Sequence, residues 1–173
     1  MKRLTLLLPL TLLLTFQLDA QEKPDRLKEI GLRMNGRGTY NFMHKVQLKN
    51  DVFTRSRLAL GFSTDLMQNN YLAIGIAFGS EKRITINEKV DMIQGGELLA
   101  NLRADFGNGA YTLPAFGIGA VFGLSYEIAD NMLLGFEVLP TVLAQYDISE
   151  RRLSELRFSA NTADAALTLM YRF

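Results

Sequence analysis

Apolar and polar residues alternate along most of this 173-residue chain. In "YLAIGIAFG", Leu72, Ile74, Ile76 and Phe78 fall on one side of an extended strand, and Tyr71, Ala73, Gly75, Ala77 and Gly79 fall on the other. "ELLANLRADF" groups Leu98, Ala100, Leu102, Ala104 and Phe106 in the same way. "TLPAFGIGAVFGLSY" does so at every second position from Pro114 to Tyr126, and "MLLGFEVLPTVLAQY" from Met132 to Tyr146. All of these apolar faces use even numbers. The closing "LTLMYRF" uses odd ones, with Leu167, Leu169, Tyr171 and Phe173 on one side.

Candidate turns between the runs test the pattern, because a one-residue slip moves every side chain to the opposite face. A turn at Asn87–Lys89 sets Phe78 opposite Leu98, Ile76 opposite Ala100 and Ile74 opposite Leu102. A turn at Ala129–Asn131 sets Phe136 against Leu124, Val138 against Phe122 and Val142 against Ile118. One at Lys49–Asp51 sets Leu58 against Phe42 and Leu60 against Tyr40. Apolar meets apolar each time. The pattern predicts eight antiparallel strands, at 28–35, 39–48, 52–63, 70–86, 90–106, 111–127, 132–146 and 161–173. Ile30, Leu32 and Met34 mark the first, and residues 147–160 form the longest connection. Within that connection "SERRLSEL" fits a helical turn or a strand extension. Pro140 cannot donate to a ladder, so a bulge is expected there, resetting the facing of Thr141 to Tyr146.

The face opposite the apolar set is rich in small residues, among them Gly61, Ala73, Gly75, Ala77, Gly117, Gly119, Gly123 and Gly135. Water-facing strands rarely use Gly, which loses the most backbone entropy on ordering. Bulky apolar residues outside with small or polar ones inside is the arrangement of a membrane-spanning β-barrel, whose closed ladder satisfies every backbone group in lipid. Tyr40, Phe106, Tyr126, Tyr146, Tyr171 and Phe173 lie near strand ends, as an aromatic girdle would. The competing architecture is a secreted sandwich or lipocalin-like barrel.

The chain begins "MKRLTLLLPLTLLLTFQLDAQEKPD". Lys2 and Arg3 precede an apolar run from Leu4 to Phe16, and Ala20 is a small residue suited to the position before a cut. This layout predicts a signal peptide over residues 1–20 and a barrel domain over 21–173. The run is too short to span a bilayer comfortably as a helix. At the other end, an alternating face that finishes on Phe resembles the C-terminal signature of bacterial outer-membrane β-barrels, matched here by Leu167, Leu169, Tyr171 and Phe173. Signal peptide, strand count and ending together resemble the small OmpA/OmpX-type barrels over the whole mature chain. The sequence is similar to outer-membrane β-barrel proteins of Bacteroidota-type bacteria. The resemblance implies an all-β, eight-stranded, up-and-down transmembrane barrel in the outer membrane of a Gram-negative cell. It also implies a monomer in contact with outer-membrane lipids, and a last strand read by the barrel-insertion machinery.

Composition narrows the chemistry. There is no cysteine, which excludes a lipoprotein anchor, a disulfide framework and thiolate metal sites. Signal removal takes two of nineteen basic and one of eighteen acidic residues, leaving seventeen of each and no pull toward nucleic acid. His44, the one histidine, faces outward beside Ser56 and reads as an interfacial residue. The catalytic alternative, a lipid-modifying enzyme, would need a Ser and an acid converging on it. "GNG" at Gly107–Gly109 reads as a hairpin turn, because it lacks the Lys and helix of a phosphate loop. No catalytic residue, cofactor or metal site is expected.

Inward candidates are Arg33, Arg55, Arg57, Glu97, Arg103, Asp105, Glu137, Asp164 and Arg172, with Leu99, Val121, Leu139 and Leu143. Arg55, Arg57, Glu97, Glu137 and Arg172 are expected to gather as a lumenal ion-pair cluster below Leu99, Val121 and Leu139. An eight-stranded barrel leaves room for side chains or one small ligand. The expected role is therefore structural or surface-interacting, with the lumen closed by ion pairs. The alternative is a small hydrophobic-ligand or lipid-binding barrel or a narrow channel. The stem around Asn87, Ser80 to Gly96, is expected to project into the periplasm past the apolar band and offer Ile84, Ile86, Val90 and Met92 as a contact edge.

Deleting Phe173, or replacing Tyr171 and Phe173 with Ser, is expected to leave unfolded protein in the periplasm. Heat-modifiable gel mobility of the outer-membrane fraction reads this directly. Normal amounts of compact barrel in both variants contradict it.

Overall fold

A computed structural model describes residues 26–36, 40–63, 71–105, 111–148, 152–160 and 165–173. The expected signal peptide and its cleavage after Ala20 lie outside them, as does Asp164. Ten strand segments form: β1 (Lys28–Asn35), β2 (Tyr40–Lys49), β3 (Val52–Ser63), β4 (Tyr71–Asn87), β5 (Val90–Asp105), β6 (Tyr111–Ala129), β7 (Met132–Val138), β8 (Thr141–Asp147), β9 (Arg152–Ser159) and β10 (Ala165–Arg172). Each of β1 to β6 pairs antiparallel with the next, β6 continues to β7, β7 pairs with β10, and β10 returns to β1. The sheet is thus a closed eight-stave barrel. β7 with β8 makes the seventh stave, and β9 with β10 the eighth.

Closure reaches the last residue. Lys28 N donates to Phe173 O at 3.0 Å and Phe173 N donates to Lys28 O at 2.9 Å. The registers Phe78–Leu98, Ile76–Ala100, Ile74–Leu102, Phe136–Leu124, Val138–Phe122 and Val142–Ile118 all form as the turn arithmetic requires. Leu58 pairs with Phe42, and the described ladder ends one position short of Leu60 and Tyr40. Asn50 turns the β2–β3 hairpin at φ 44°, a left-handed conformation that Asn tolerates better than most residues.

Two expectations need correction, and one open alternative is decided. The first concerns Pro140. Phe122–Val138 and Gly119–Thr141 lie on one continuous register, so no residue is inserted and Thr141 to Tyr146 keep their facing. Ala120 N still donates to Pro140 O at 3.0 Å; only the return bond, which proline cannot make, is lost. The irregularity sits on the neighbouring stave. Val138 pairs with Ala165 while Thr141 pairs with Ser159, so the two pairings are three positions apart in one stave and six in the sequence of the other. That odd offset explains why the apolar face is odd-numbered in β10.

The second point concerns 147–160, where the strand extension is the alternative that forms, over Arg152–Ser159. β9 extends the β8 hairpin, and its period is masked by one extra residue, Ser154, between Glu155–Gln145 and Leu153–Tyr146. The Ser154 hydroxyl donates to the Gln145 carbonyl at 3.1 Å.

The third is that the Asn87 stem is not a bare projection. β3 flanks β4 as far as Val52–Lys82, and β6 flanks β5 to Val90–Tyr126. Glu81, Arg83 and Ile93 are buried inside the wall at that level. The outward polar residues of the stem interrupt the apolar face without ending the barrel.

Side chains follow the expected inversion. Phe42 is 55% exposed and Leu98 67%, whereas Arg55 is 1% and Glu137 0% exposed. Inner glycines let facing chains close in. A Cβ at Gly79 would stand 2.1 Å from the Gly96 carbonyl and 2.7 Å from the Glu97 Cα. At Gly61 the nearest atom would be 3.7 Å away. Gly79→Ala is therefore expected to destabilise the barrel by about 1–3 kcal/mol, the range for overpacked sites. Gly61→Ala should stay near wild type. Urea unfolding of the two variants in detergent compares them.

Candidate functional site

The interior below Val121 and Leu139 holds a continuous set of buried ion pairs. Glu137, on β7, is its centre. Arg55 Nη2 lies 2.9 Å from Glu137 Oε2, Arg33 Nε 3.3 Å from the same oxygen, and Lys45 Nζ 3.4 Å from Oε1. Gly123 pairs directly with Glu137. A Cβ there would come within 3.2 Å of the Glu137 Cγ and 2.4 Å of the Phe136 carbonyl, so a bare backbone is what admits the long carboxylate side chain.

From this centre the network runs both ways. Toward the loop end, Glu97 accepts from Arg57, which also donates to Asn41 at 3.1 Å. Arg55 Nε stands 3.2 Å from Glu97 Oε2, close enough for ion pairing but without hydrogen-bond alignment. Toward the chain termini, Glu81 receives Arg55 at 2.8 Å and Lys45 at 2.8 Å. Arg83 bridges Glu81 and Glu29 at 3.0 and 2.6 Å, and its guanidinium stacks 4.0 Å over the Phe53 ring. Arg172 closes the lower end on Glu29 at 3.1 Å and Glu127 at 3.4 Å.

Four of the five residues expected to cluster form one chain of contacts, Arg57 to Glu97, Glu97 to Arg55 and Arg55 to Glu137. Arg172 is not in that group. Its ladder partner in β1 is Glu29, the nearest carboxylate, so it is linked to Glu137 through Glu29, Arg83, Glu81 and then Arg55 or Lys45. Glu29, Lys45, Glu81 and Arg83 were missed as members. The first two follow from strand parity, since Ile30 and His44 face outward. The last two were hidden by reading their stem as lying beyond the barrel. Of the other inward candidates, Arg33 joins the network, Arg103 stands exposed near the loop end, and the Asp105 side chain lies outside the described set.

Apolar contacts separate the tiers. Ile93, Val121 and Leu139 form one buried group, and Met43, Leu133 and Met170 another. Two small cavities stand out. One, about 20 Å³, lies by Asn41, Arg57, Leu99 and Asn101; the other, about 30 Å³, by Leu143, Gln145, Glu155 and Arg157. Each has space for a water molecule or two. His44 faces outward as expected, opposite Ser56, but the Ser56 hydroxyl donates to the His44 carbonyl at 3.3 Å rather than to its ring.

No protein-family model matches the chain, and no curated protein sequence does. Solved structures do share its fold. Neisserial surface protein A is 12% identical over 85% of this chain and 92% of its own, with a TM-score of 0.52. This chain shares that fold, a closed eight-stranded antiparallel barrel. Weaker likenesses are to the N-terminal β-barrel domain of Pseudomonas aeruginosa OprF, at 15% identity, 86% and 96% coverage and TM-score 0.46. Ail, the attachment invasion locus protein of Yersinia pestis, stands at 11%, 86% and 95%, and 0.45. At these identities the likeness concerns the fold.

Removing one partner of a buried pair leaves the other charge unpaired, at about 3–5 kcal/mol. Glu137→Ala should lower stability by that amount. Arg157→Ala, which breaks only the exposed pair with Glu155, should change it little. Equilibrium unfolding in detergent distinguishes the two.

Proposed function

We propose that this protein resides in the bacterial outer membrane as a non-catalytic barrel with a structural or surface-interaction role, its lumen closed by ion pairs. The observation that carries the membrane reading is the inversion of faces. Ile30, Phe42, Leu58, Ile76, Phe78, Leu98, Phe122, Phe136 and Leu169 are all exposed, forming an apolar belt around a charged interior. A soluble protein does not expose so continuous an apolar surface. Lipid is the solvent that favours it.

Closure rests on the Glu137 network. Its five carboxylates, Glu29, Glu81, Glu97, Glu127 and Glu137, meet six cations, Arg33, Lys45, Arg55, Arg57, Arg83 and Arg172. Near-balance of charge gives a passing ion little net field to follow, and Val121 and Leu139 disfavour water above. Neither of the two cavities described above, of about 20 and 30 Å³, is large enough for an acyl chain. Against the enzymatic alternative stands His44, whose cross-strand serine is already engaged with backbone. The last strand offers Leu167, Leu169, Tyr171 and Phe173 to the insertion machinery as one face, with the Tyr171 and Phe173 rings stacked 6.3 Å apart.

Wild-type protein in a planar bilayer is expected to show little steady conductance, and Glu137→Ala measurably more. Large, stable currents from the wild type contradict the closed lumen.

A further inference from the structure

The outward face of β2 to β5 is not uniformly apolar. Three adjacent rows of ladder partners carry polar side chains: His44 with Ser56; Thr54 with Ser80 and Gly96; and Lys82 with Gln94. The next row toward the loops is Phe42, Leu58, Ile76 and Ala100. The next toward the termini holds Ile84 and Met92. Followed around the barrel, the Lys82–Gln94 row continues as Phe122 and Val138, and the His44–Ser56 row as Phe78, Leu98 and Ile118. The patch is therefore an island of polar groups framed by apolar wall.

Its members divide in two. The Thr54 and Ser56 hydroxyls donate to the Val46 and His44 carbonyls and need nothing further. Among the described residues, the His44 ring, the Ser80 hydroxyl, the Lys82 ammonium and the Gln94 amide have no hydrogen-bond or ion-pair partner in the chain. Ser80, Lys82 and Gln94 are exposed. No Asp or Glu occupies an outward position of β2 to β5. Unpartnered donors facing hydrocarbon are costly. Gly96, between Ser80 and Ala120, adds a recess without being sterically required, since a Cβ there would meet nothing nearer than 3.5 Å.

Resting on the outer-membrane reading, we propose that this island is a binding site for the anionic phosphate headgroup of a phospholipid in the periplasmic leaflet. Lys82 supplies the charge. Ser80, Gln94 and His44 supply hydrogen bonds to phosphate or glycerol oxygens. Phe42, Leu58, Phe78 and Leu98 lie on the side toward the membrane centre, where the acyl chains would run. A lipid is favoured over free phosphate because donors and apolar wall are continuous. It is favoured over a second copy of the chain because the face carries a cation, Lys82, and no carboxylate, and so is not complementary to itself.

The test uses the full mature chain, folded and placed in phosphatidylcholine vesicles containing a minority of phosphatidylglycerol. Heat-modifiable mobility reports insertion. Native mass spectrometry after mild delipidation reports the lipids retained. Wild type is expected to retain phosphatidylglycerol severalfold above its share of the vesicle, and Lys82→Leu with Gln94→Leu to retain only that share. Inserted wild type and variant with equal retention overturn the site and leave the membrane reading standing. Failure of the wild type to insert overturns both. Loss of the bound lipid on adding inorganic phosphate would assign the site to free phosphate. Disulfide-linked dimers of Gln94→Cys, with no lipid preference in the wild type, would assign the face to a second copy; either result overturns the lipid proposal.

Discussion

On the outer-membrane reading, the constraint on which the rest depends is that a sheet in hydrocarbon has no water to satisfy a loose edge. This chain meets it by joining its ends: β1 and β10 pair along their length, and Lys28 and Phe173 exchange backbone bonds. Once the ring is closed, successive side chains of the wall point alternately outward and into a narrow lumen. The alternation of the sequence follows from that geometry.

A small barrel must then fill its interior without a ligand. Glycine and alanine on some staves make room for arginine, lysine and glutamate from others. The pairing of Gly123 with Glu137 is the clearest case. Charged side chains serve here as packing material, since long guanidinium and carboxylate chains cross the lumen and meet midway. Their burial is tolerable because each buried carboxylate is multiply engaged. Glu137 faces Arg33, Lys45 and Arg55, and Glu81 faces Lys45, Arg55 and Arg83.

The wall was legible in the sequence because its signal is a strict period of two, and turn positions could be checked against it. Even β1, with only Ile30, Leu32 and Met34 outward, lies where the pattern put it. What escaped were departures from that period. The extra residue at Ser154 made a strand look irregular. At Pro140 one missing donor suggested a bulge, yet a ladder tolerates the loss of a single bond when its neighbours hold the register. The interior was harder to read, because parity says which residues point inward but not which meet. Arg172 shows this: its partner was set by the chain closing on itself, which placed Glu29 directly beside it. The polar island on β2 to β5 was mistaken for the end of the wall, since apolar outward residues were the only available marker of barrel height.

The spacing of the interior partners along the chain bears on the order of assembly. Arg172 and Glu29 lie 143 positions apart, and Arg33 and Glu137 lie 104 apart. Contacts this distant form late, after the loop-closure entropy has been met. The charges they join must remain hydrated until the first and last staves meet. Drying of the lumen and sealing of the wall are therefore coupled into one cooperative event, and a chain halted just short of it would keep a water-filled cleft along its open wall.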